Sequence, residues 1–398
     1  MQASRIFLYL CLAFVGGVVL NSLIIVPHLF VWGFFVFGLS FIAIFWKKDK
    51  KVVVAGFCML LFATGIFRHQ MFEQPEDSLE YYKSGHASEP YSYDRGNMIE
   101  NSIYRFKENL GESLDSSLSP PHSSIVGAMM LGEEERLSWE LKQKLNISGT
   151  RHIIAISGMH VVILANILIG AGLIFGLWRG QAFYFAIATI VLFIIMVGAP
   201  PSAIRAGIMG GIVLFAEKVG RLSRAQRLLI IAATVMLAFN PLLLEFDVGF
   251  QLSFLATLGI AELGPYFRKI LRWVPKQLEI RNTISMTIPA VVFTAPVLAS
   301  NFEQFSVIAL FTNILVLPVF SFILGLGLFA GIAGMIFPFF GQIAFWPVWL
   351  FASYAHAIID WSARIPFAAV GVEVFPWYIA ALYFALVWWG IKYFNLER

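Results

Sequence analysis

The chain has 398 residues, of which 59% are hydrophobic and only 13% are charged, and its formal net charge is +4. Soluble domains carry about 25% charged residues, so this sequence has about half the usual supply of ionised surface. These proportions exclude a water-soluble globule, a disordered chain and a coiled coil, and they indicate a polytopic membrane protein. At about 20 residues a span, the chain is long enough for about a dozen transmembrane helices.

Three apolar runs open the chain and predict an N-terminal three-span membrane region over residues 1–67. The runs cover residues 6–26, 29–46 and 52–67. No small-residue cleavage site separates the first run from a soluble region. We therefore interpret all three runs as spans of the mature protein and none as a signal peptide.

The next block, residues 68–152, is hydrophilic and holds 14 of the 24 acidic residues of the chain. Its first part has turn residues and little apolar periodicity, which is typical of a loop. Over residues 97–114, apolar side chains recur at spacings of three and four and predict an amphipathic helix, and further helices are expected from about residue 123 and over 132–145. We expect this block to form extracytoplasmic amphipathic helices that rest on the membrane surface.

Nine further apolar runs predict the spans of a transmembrane core over residues 153–398. They cover residues 153–177, 181–197, 202–219, 226–244, 249–265, 283–300, 306–336, 343–360 and 375–391. The run 306–336 is too long for one straight span and contains Pro318 and several glycines, so a tilted, broken or re-entrant helix is expected there. The predicted fold class is therefore an all-α polytopic membrane protein with about 12 transmembrane helices.

Lysine and arginine residues outside the acidic block fall mostly on one side of this arrangement. With the N-terminus in the cytoplasm, the basic stretches 47–51, 221–227 and 268–281 are all cytoplasmic. Because cytoplasmic loops are enriched in positive residues, this orientation is favoured and the block 68–152 lies outside. If the run 306–336 crosses the membrane twice, the C-terminus moves to the opposite side.

Polar groups inside apolar spans are costly and therefore mark candidate functional sites. The first group is the stretch 148–160, in which His152, Ser157 and His160 enter a span. On a continuous helix the two histidines would lie roughly 80° apart, and Gly158 permits a break or a close helix contact. The stretch predicts a locally unwound entrance to a pore or chamber. The alternative is that Ser157 bonds a backbone carbonyl and His160 bonds a neighbouring helix.

The second group begins at Pro200-Pro201, which favours a turn, and at Ser202, which can cap the helix that follows. Arg205 then lies in the first turn of a span. Its guanidinium either reaches the outer headgroups or faces the helix bundle and attracts an anion. Small residues over 206–211 favour close packing of at least one helix face, but the sequence leaves both alternatives open.

Two more groups place polar residues at the start of a span or within one. Asp247 begins a span, where it can cap the helix or form a buried ion pair with Arg205. Gln251 and Ser253 lie deeper in the same span and need partners. Asn313 lies inside the longest apolar run, where it indicates either irregular backbone that lines a cavity or an interhelical hydrogen bond.

Motifs of several common chemistries are missing from the sequence. It has no phosphate-binding GxxxxGK motif, no HExxH and no CxxC, and its histidines show no metal-ligand spacing. A serine hydrolase would use Ser157 and His160, but a spacing of three residues without a third group is a weak signal. We expect neither a cofactor nor a metal ion, and we do not expect an enzyme.

The stretch 149–161 strongly resembles the family signature of the ComEC competence proteins, the membrane DNA-uptake channels of natural transformation. Met129 to Gly132 resembles the lead-in to that signature. Three more stretches resemble family segments in the expected order, namely a proline-serine-x-x-arginine segment at 201–206, a glycine-phenylalanine-glutamine-leucine-serine segment within 247–254, and a later segment over 296–318. The resemblance covers residues 120–340 well and extends to residues 1–67 in topology.

The sequence departs from the family pattern in two respects. Family members usually carry an extracytoplasmic OB-fold domain, but only 57 residues separate Phe67 from Ile125, without five strand patterns. Members often end in a metallo-β-lactamase-like domain regarded as a nuclease, and no HxHxDH signature occurs here. We therefore expect a bare channel, to which nuclease activity and OB-mediated DNA capture are not transferred.

The resemblance implies that single-stranded DNA passes from the outer face into the cytoplasm across a bacterial cytoplasmic (inner) membrane. Such a path needs cationic groups that bind phosphates weakly enough to release them. The candidates for the DNA path or pore are His152, Ser157, Gly158, His160, Ser202, Arg205, Asp247, Gln251, Ser253 and Asn313. The expected partners are single-stranded DNA, membrane lipid, a separate nuclease or OB-fold subunit, and cytoplasmic DNA-handling proteins. The alternative function is a secondary transporter of a small anionic substrate bound by Arg205.

Overall fold

Helices dominate the part of the protein that the structure describes. This computed structural model describes residues 3–72, 98–154, 156, 158–199, 201–218, 225–273, 280–302, 304–371 and 377–396. The first helices along the chain are α1 (Ala3–Leu23), α2 (His28–Phe45), α3 (Lys50–Phe72), α4 (Met98–Ser117), α5 (His122–Leu131), α6 (Trp139–Ser148), α7 (Arg151–Ile154) and α8 (Gly158–Ile174). The later elements are α9 (Arg179–Met196), α10 (Pro201–Lys218), α11 (Ala225–Phe239), α12 (Leu243–Phe246), α13 (Val248–Ile270), α14 (Ile280–Phe302), β1 (Gln304–Ser306), α15 (Ala309–Ile336), α16 (Pro338–Ala363), β2 (Ala369–Gly371) and α17 (Trp377–Leu396).

Each of the twelve apolar runs corresponds to one helix or to two consecutive helices. The hydrocarbon core of a membrane contains no water that could bond to backbone groups. Apolar runs of this length therefore form helices, in which each run satisfies its own amide and carbonyl groups. Among the described residues, eight segments are long and apolar enough to span a membrane: α1, α2, α3, α7 with α8, α13, α14, α15 and α16. This confirms the predicted all-α polytopic membrane protein, while the number of about 12 spans stays a prediction.

The chain forms two compact units. The first unit comprises residues 1–89 and 215–254, and the second comprises residues 90–214 and 255–398. The first unit therefore joins α1, α2 and α3 to α11 and α12, which are distant in sequence. The division into regions 1–67, 68–152 and 153–398 stays a prediction.

Glycines allow the helices of the first unit to approach each other closely. A Cβ atom added to Gly17 on α1 would overlap the carbonyl oxygen of Phe62 on α3. A Cβ atom added to Gly65 on α3 would likewise overlap the carbonyl oxygen of Phe14. The backbones of α1 and α3 are therefore in direct contact, which is the common packing mode of membrane helices that carry small residues.

The end of α3 is joined to the end of α11 by an arginine. Arg68 Nε donates to the carbonyl oxygen of Ala238 at 2.9 Å, and its Nη2 donates to that of Phe239 at 3.1 Å. Since the last carbonyls of a helix lack partners within the helix and carry partial negative charge, this contact satisfies them and fixes the position of α11.

The core of the second unit is formed by α4, α5, α15 and α16. Ser123 and residues 125–131 of the ten-residue helix α5 are buried, and Leu110 and Leu114 cover it from the amphipathic helix α4. Phe320 of α15 and Phe345 of α16 complete the same cluster. The described part of the acidic block thus supplies core-forming helices.

Helix α15 is a single continuous helix of 28 residues, which excludes the broken and the re-entrant alternatives for the run 306–336 and leaves the tilted helix. Pro318 lies inside the helix without ending it. A proline removes one backbone hydrogen bond, and in membrane proteins neighbouring elements can satisfy the carbonyl group that is left free. At 1.5 Å a residue the helix is about 42 Å long, which exceeds the hydrocarbon thickness of about 30 Å and agrees with the predicted tilt.

The short strands β1 and β2 form an antiparallel pair in which Phe305 lies opposite Val370. The pair joins the segment before α15 to the segment after α16. Val307 N also donates to the carbonyl oxygen of Ala368 at 2.9 Å, which extends this junction to the start of α15.

Candidate functional site

The stretch that resembles the family signature starts at a helix end. Helix α6 ends at Ser148, and Gly149 follows in the left-handed conformation with φ 69° and ψ 20°. Thr150 N donates to the carbonyl oxygen of Leu145 at 3.0 Å, which closes the helix end. A Cβ atom at Gly149 would overlap the Cβ of Ala309, so the backbone here lies directly against the start of α15. Only glycine meets both requirements.

Hydroxyl groups strengthen the same junction. The hydroxyls of Ser148 and Thr150 hydrogen bond at 2.7 Å, and both residues are fully buried. Ser306 Oγ donates to the carbonyl oxygen of Ile147 at 2.6 Å. Further into α15, the buried hydroxyls of Thr312 and Ser362 hydrogen bond at 3.0 Å. Hydrogen bonds of short side chains therefore attach the end of α6, where the signature starts, to β1 just before α15, and attach α15 to α16.

A helix break follows within the signature. Helix α7 ends at Ile154 and α8 begins at Gly158, and Ile156 between them is not helical. The predicted local unwinding is thus present in the described residues, and His152 and His160 do not share one continuous helix. His152 is exposed, and the space beside Gly158 is open. Ser157 lies outside the described residues.

His160 and Asn313 are the buried polar candidates of this region. His160 on α8 has 0% exposure, and its ring meets the ring of Phe320 edge to face at a centroid distance of 4.7 Å. Asn313, about two helical turns before Phe320 on α15, is 3% exposed. Its Oδ1 atom has no hydrogen-bond partner among the described residues. The backbone around Asn313 is regular helix, so the prediction of irregular backbone there is wrong.

Arg205 lies on α10 and is only 5% exposed. Its neighbours Ala203 and Ala206 are buried as well, whereas Ser202 near the start of the helix is half-buried. This burial agrees with the interpretation in which Arg205 faces the protein interior, and it disfavours a side chain that extends into the headgroups. A guanidinium inside apolar surroundings needs an anionic or strongly polar partner.

Three of the four family-like stretches meet in the second unit. Ile153, Ile154 and Ile156 of the signature share one hydrophobic cluster with Ala203 of α10 and Phe320 of α15. A second cluster is formed by Val161, Ala165, Ile190 and Ala206. The cavity left between the signature, α5, α15 and α16 has a volume of about 10 Å³, which holds no more than one water molecule.

The remaining stretch lies in the first unit, where local hydrogen bonds account for its polar residues. Asp247 Oδ1 accepts from Phe250 N at 2.9 Å and caps α13, which confirms the capping interpretation. Gln251 Nε2 donates to the carbonyl oxygens of Leu244 at 2.9 Å and Glu245 at 3.1 Å. Ser253 Oγ donates to the carbonyl oxygen of Gly249 at 2.7 Å within its own helix. The ion pair between Arg205 and Asp247, which lie in different units, stays a prediction.

Sequence reasoning missed the structural role of Ser148, Thr150, Ser306 and Thr312. Hydroxyl residues are common near helix ends, so no one of them stands out by itself. The available signal was their order, because Ser148 and Thr150 lie at the end of α6, whereas Ser306 and Thr312 lie just before α15 and in its first turn. Only the packing of α6 against α15 shows that they form one junction.

Comparisons with known proteins agree with the resemblance. A family model described as competence protein matches residues 129–396. The chain is 29% identical over 270 residues to ComE operon protein 3 of Bacillus subtilis. This match covers 67% of the present chain and 33% of the relative, so the chain spans about a third of the length of that protein. No solved structure matches the chain.

Proposed function

Since the chain belongs to the competence protein family, we propose that it forms the membrane path by which single-stranded DNA enters the cytoplasm in natural transformation. The observation that carries the proposal is the convergence of the signature, the start of α10 and α15 in the second unit, with Arg205 and His160 buried beside them. The membrane is proposed to be the bacterial cytoplasmic membrane, with the N-terminus inside.

The chemistry of a nucleic acid strand explains why these residues are suitable. Each nucleotide carries one phosphate, and a strand that must keep moving needs few and reversible cationic contacts. Arg205 supplies a permanent positive charge with several donors in a fixed plane, which fits a phosphate. Asn313 supplies an amide oxygen that is unsatisfied in the described structure and suits donors on base edges.

The described arrangement corresponds to a closed state in this proposal. The cavity beside the signature is far smaller than a nucleotide, and Ile153, Ile154 and Phe320 fill the core around it. The non-helical residue Ile156 and the open space beside Gly158 allow α8 to move relative to α7. We propose that this movement opens the path between the signature and α15.

The direct test is substitution of Arg205 in a naturally transformable strain that lacks its own copy of the gene. Arg205→Gln should lower the transformation frequency about 10- to 100-fold, since a hydrogen bond to a charged group is worth about 1.5–3 kcal/mol. Arg205→Lys keeps the charge and should retain an intermediate frequency. Arg364→Gln is the matched control, because Arg364 lies in the same unit but is 77% exposed.

Two measurements accompany that test. Protein in the membrane fraction and DNA bound at the cell surface should be unchanged in every variant, so that the loss concerns passage alone. Normal transformation by Arg205→Gln, or by a strain without the gene, would refute the proposal. Competence-family membership favours DNA over a small anion, and uptake of a labelled small anion by proteoliposomes without DNA transport would support the transporter instead. The proposal assigns no catalysis to the chain, and full transport by Ser157→Ala would remove the alternative of a hydrolase that uses Ser157 and His160.

A further inference from the structure

The two longest helices of the second unit, α15 and α16, form an antiparallel hairpin. Gly334 and Gly341 are in backbone contact beside the turn that joins the helices. At the open end of the hairpin, the hydroxyls of Thr312 and Ser362 hydrogen bond. Residues 304–359 contain no lysine, arginine, aspartate or glutamate. Both helices are therefore long and apolar enough to cross a membrane, but their contacts indicate a different position.

One side of the hairpin is covered by α4, α5 and α6. Near the turn, a Cβ atom added to Gly331 on α15 would overlap the side chain of Leu110 on α4. Near the open end, Lys144 Nζ on α6 lies 2.8 Å from Asp360 Oδ1 on α16. The segment 98–148 therefore lies beside both ends of the hairpin.

This covering segment is strongly charged and contacts water. At the α4 end, Arg136 Nη1 lies 2.8 Å from Asp115 Oδ2, and its Nε lies 2.8 Å from Glu133 Oε2. The side chains of Asp115 and Glu140 are 47% and 74% exposed. Seven of the twelve residues 133–144 are charged. Because charged side chains are costly in hydrocarbon, this part of the chain does not cross lipid, and the two ends of the hairpin lie on one side of the membrane.

Helices α8 and α9, two predicted spans, give the level of that membrane face. They are joined by a turn of four residues, 175–178, so α8 begins and α9 ends at the same face. A Cβ atom added to Gly132 would lie 3.3 Å from the Cβ of Val197, directly after α9. A Cβ atom added to Gly327 of α15 would lie 2.6 Å from Met130 Sδ. Since Met130 and Gly132 are two residues apart, Gly327 lies near this face.

The length of α15 beyond Gly327 limits how deep the turn reaches. The helix continues for nine residues to Ile336, which is about 14 Å at 1.5 Å a residue. The hydrocarbon core of a membrane is about 30 Å thick. Even if α15 were perpendicular to the membrane, the turn would therefore end near the middle of the bilayer.

Large apolar side chains elsewhere on the hairpin are left uncovered by the described residues. More than half of each side chain's residue surface is exposed at Phe322, Phe329, Phe339, Phe340, Trp346 and Leu350. A hairpin with one charged, wet side and one aromatic side fits a membrane surface, with the apolar side among the acyl chains.

We propose that the α15–α16 hairpin enters the membrane from the face at which α8 begins, holds its apolar side in the nearer leaflet and returns to the same face. Two of the expected crossings are then removed together, so the C-terminus keeps its predicted side of the membrane. The proposal concerns the second unit alone and does not depend on DNA as the substrate.

The first experiment labels single cysteines of the full chain with a maleimide that does not cross lipid, on spheroplasts and on inverted membrane vesicles. The background is Cys11→Ala with Cys58→Ala. The labelled variants are Asn109→Cys on α4, Phe367→Cys just before β2, and Lys48→Cys in the α2–α3 turn as the control for the predicted cytoplasmic side, and all three positions are exposed. Asn109→Cys and Phe367→Cys should be labelled from the same side, and Lys48→Cys from the other side.

The side of Asn109 locates the turn of the hairpin, because its neighbour Leu110 contacts Gly331 close to that turn. Labelling of Asn109→Cys from the side opposite to Phe367→Cys would overturn the proposal. That result would show a hairpin that crosses the membrane, with the charged segment following it through a water-filled cavity. Labelling of Asn109→Cys from neither side would also overturn it, because the exposed face of α4 would then not contact water.

The second experiment measures depth and does not require the α4 variant to fold. Spin labels at Phe322→Cys and Phe339→Cys, in the same background in lipid nanodiscs, are compared by their collisions with oxygen and with a water-soluble nickel complex. The label at residue 339, beside the turn, should be at least as deep as the label at residue 322. A hairpin that crosses would place residue 322 near the bilayer centre and residue 339 at the far headgroups, and that result would contradict the proposal.

Discussion

Gly149 at the end of α6 gives the sharpest prediction about stability. Its φ of 69° is strained for any residue with a side chain, and in alanine this conformation costs about 1–2 kcal/mol. The added Cβ would also overlap the Cβ of Ala309 and lie 2.9 Å from Ser306 Oγ. Forcing an extra methyl group into packed surroundings costs about 1–3 kcal/mol more. Gly149→Ala should therefore lower the free energy of unfolding by about 2–5 kcal/mol.

A double-mutant cycle separates the cost of the left-handed conformation from the cost of the overlap with Ala309. Ala309→Gly removes the atom that the new Cβ overlaps, so Gly149→Ala with Ala309→Gly should recover about 1–3 kcal/mol but not the cost of the left-handed conformation. The matched control is Gly170→Ala within α8, where a Cβ meets nothing within 4 Å and φ is ordinary. That variant should be neutral or more stable by up to about 1 kcal/mol.

The assay is equilibrium unfolding of the full chain in mixed micelles, followed by loss of helical circular dichroism. The informative quantity is the interaction energy between the substitutions at positions 149 and 309, because it measures the contact between the signature and α15 directly. Unchanged stability of Gly149→Ala would show that the turn does not need glycine. A double variant no more stable than Gly149→Ala alone would show that Ala309 is not the obstacle.

Three further outcomes are expected. Thr312→Val should destabilise the chain by about 1–2 kcal/mol, because it leaves the hydroxyl of Ser362 buried without its partner, and Thr312→Val with Ser362→Ala should recover most of that loss in the same unfolding assay. Asn313→Leu should leave stability equal or higher by about 1 kcal/mol, since Oδ1 is unsatisfied. If the residue contacts DNA, the same variant should lower the transformation frequency about 10-fold. An unchanged frequency assigns Asn313 to packing alone. Lys144→Met should lower stability at pH 7, where Lys144 bonds Glu140 at 2.6 Å and Asp360 at 2.8 Å. Lys144 holds the pKa of Glu140 below its usual range, so the stability that this ion pair contributes is present above about pH 4 and is lost as the pH falls through the lowered pKa. A stability difference between the variant and the unsubstituted chain that stays constant from pH 7 to pH 3 contradicts the ion pair.

The helices were predictable because the membrane removes the alternatives. An apolar run without access to water must form its own backbone hydrogen bonds, so the length and position of each run predict a helix. At α15 the sequence leaves a tilted, a broken and a re-entrant helix open, because its glycines and Pro318 are compatible with a break. In the structure a Cβ at Gly331 would overlap Leu110, and one at Gly327 would lie 2.6 Å from Met130 Sδ. These glycines make room for α4 and α5, and that requirement depends on neighbours that no local pattern contains.

The candidate residues divide in the same way. Asp247 caps its helix by a bond to a residue three positions later, so a local rule was sufficient to predict it. The burial of Arg205 depends on how α10 packs against other helices, and the sequence left it undecided. The contacts that place the α15–α16 hairpin join residues that are 65 and 197 positions apart, Gly132 with Val197 and Met130 with Gly327, and no spacing rule connects them.

The polar residues of the second unit serve two different purposes, and the distinction explains what their substitution should do. Ser148, Thr150, Ser306 and Thr312 are short, and each finds a hydroxyl or carbonyl partner within the junction of α6, α15 and α16. Their removal should lower the stability of the fold, because every one of those bonds is already complete in the described arrangement. Asn313 differs, since its oxygen is buried and unsatisfied there and gains a partner only if something else enters. A residue that costs stability in the described arrangement is one at which substitution separates the proposed role in transport from a role in folding.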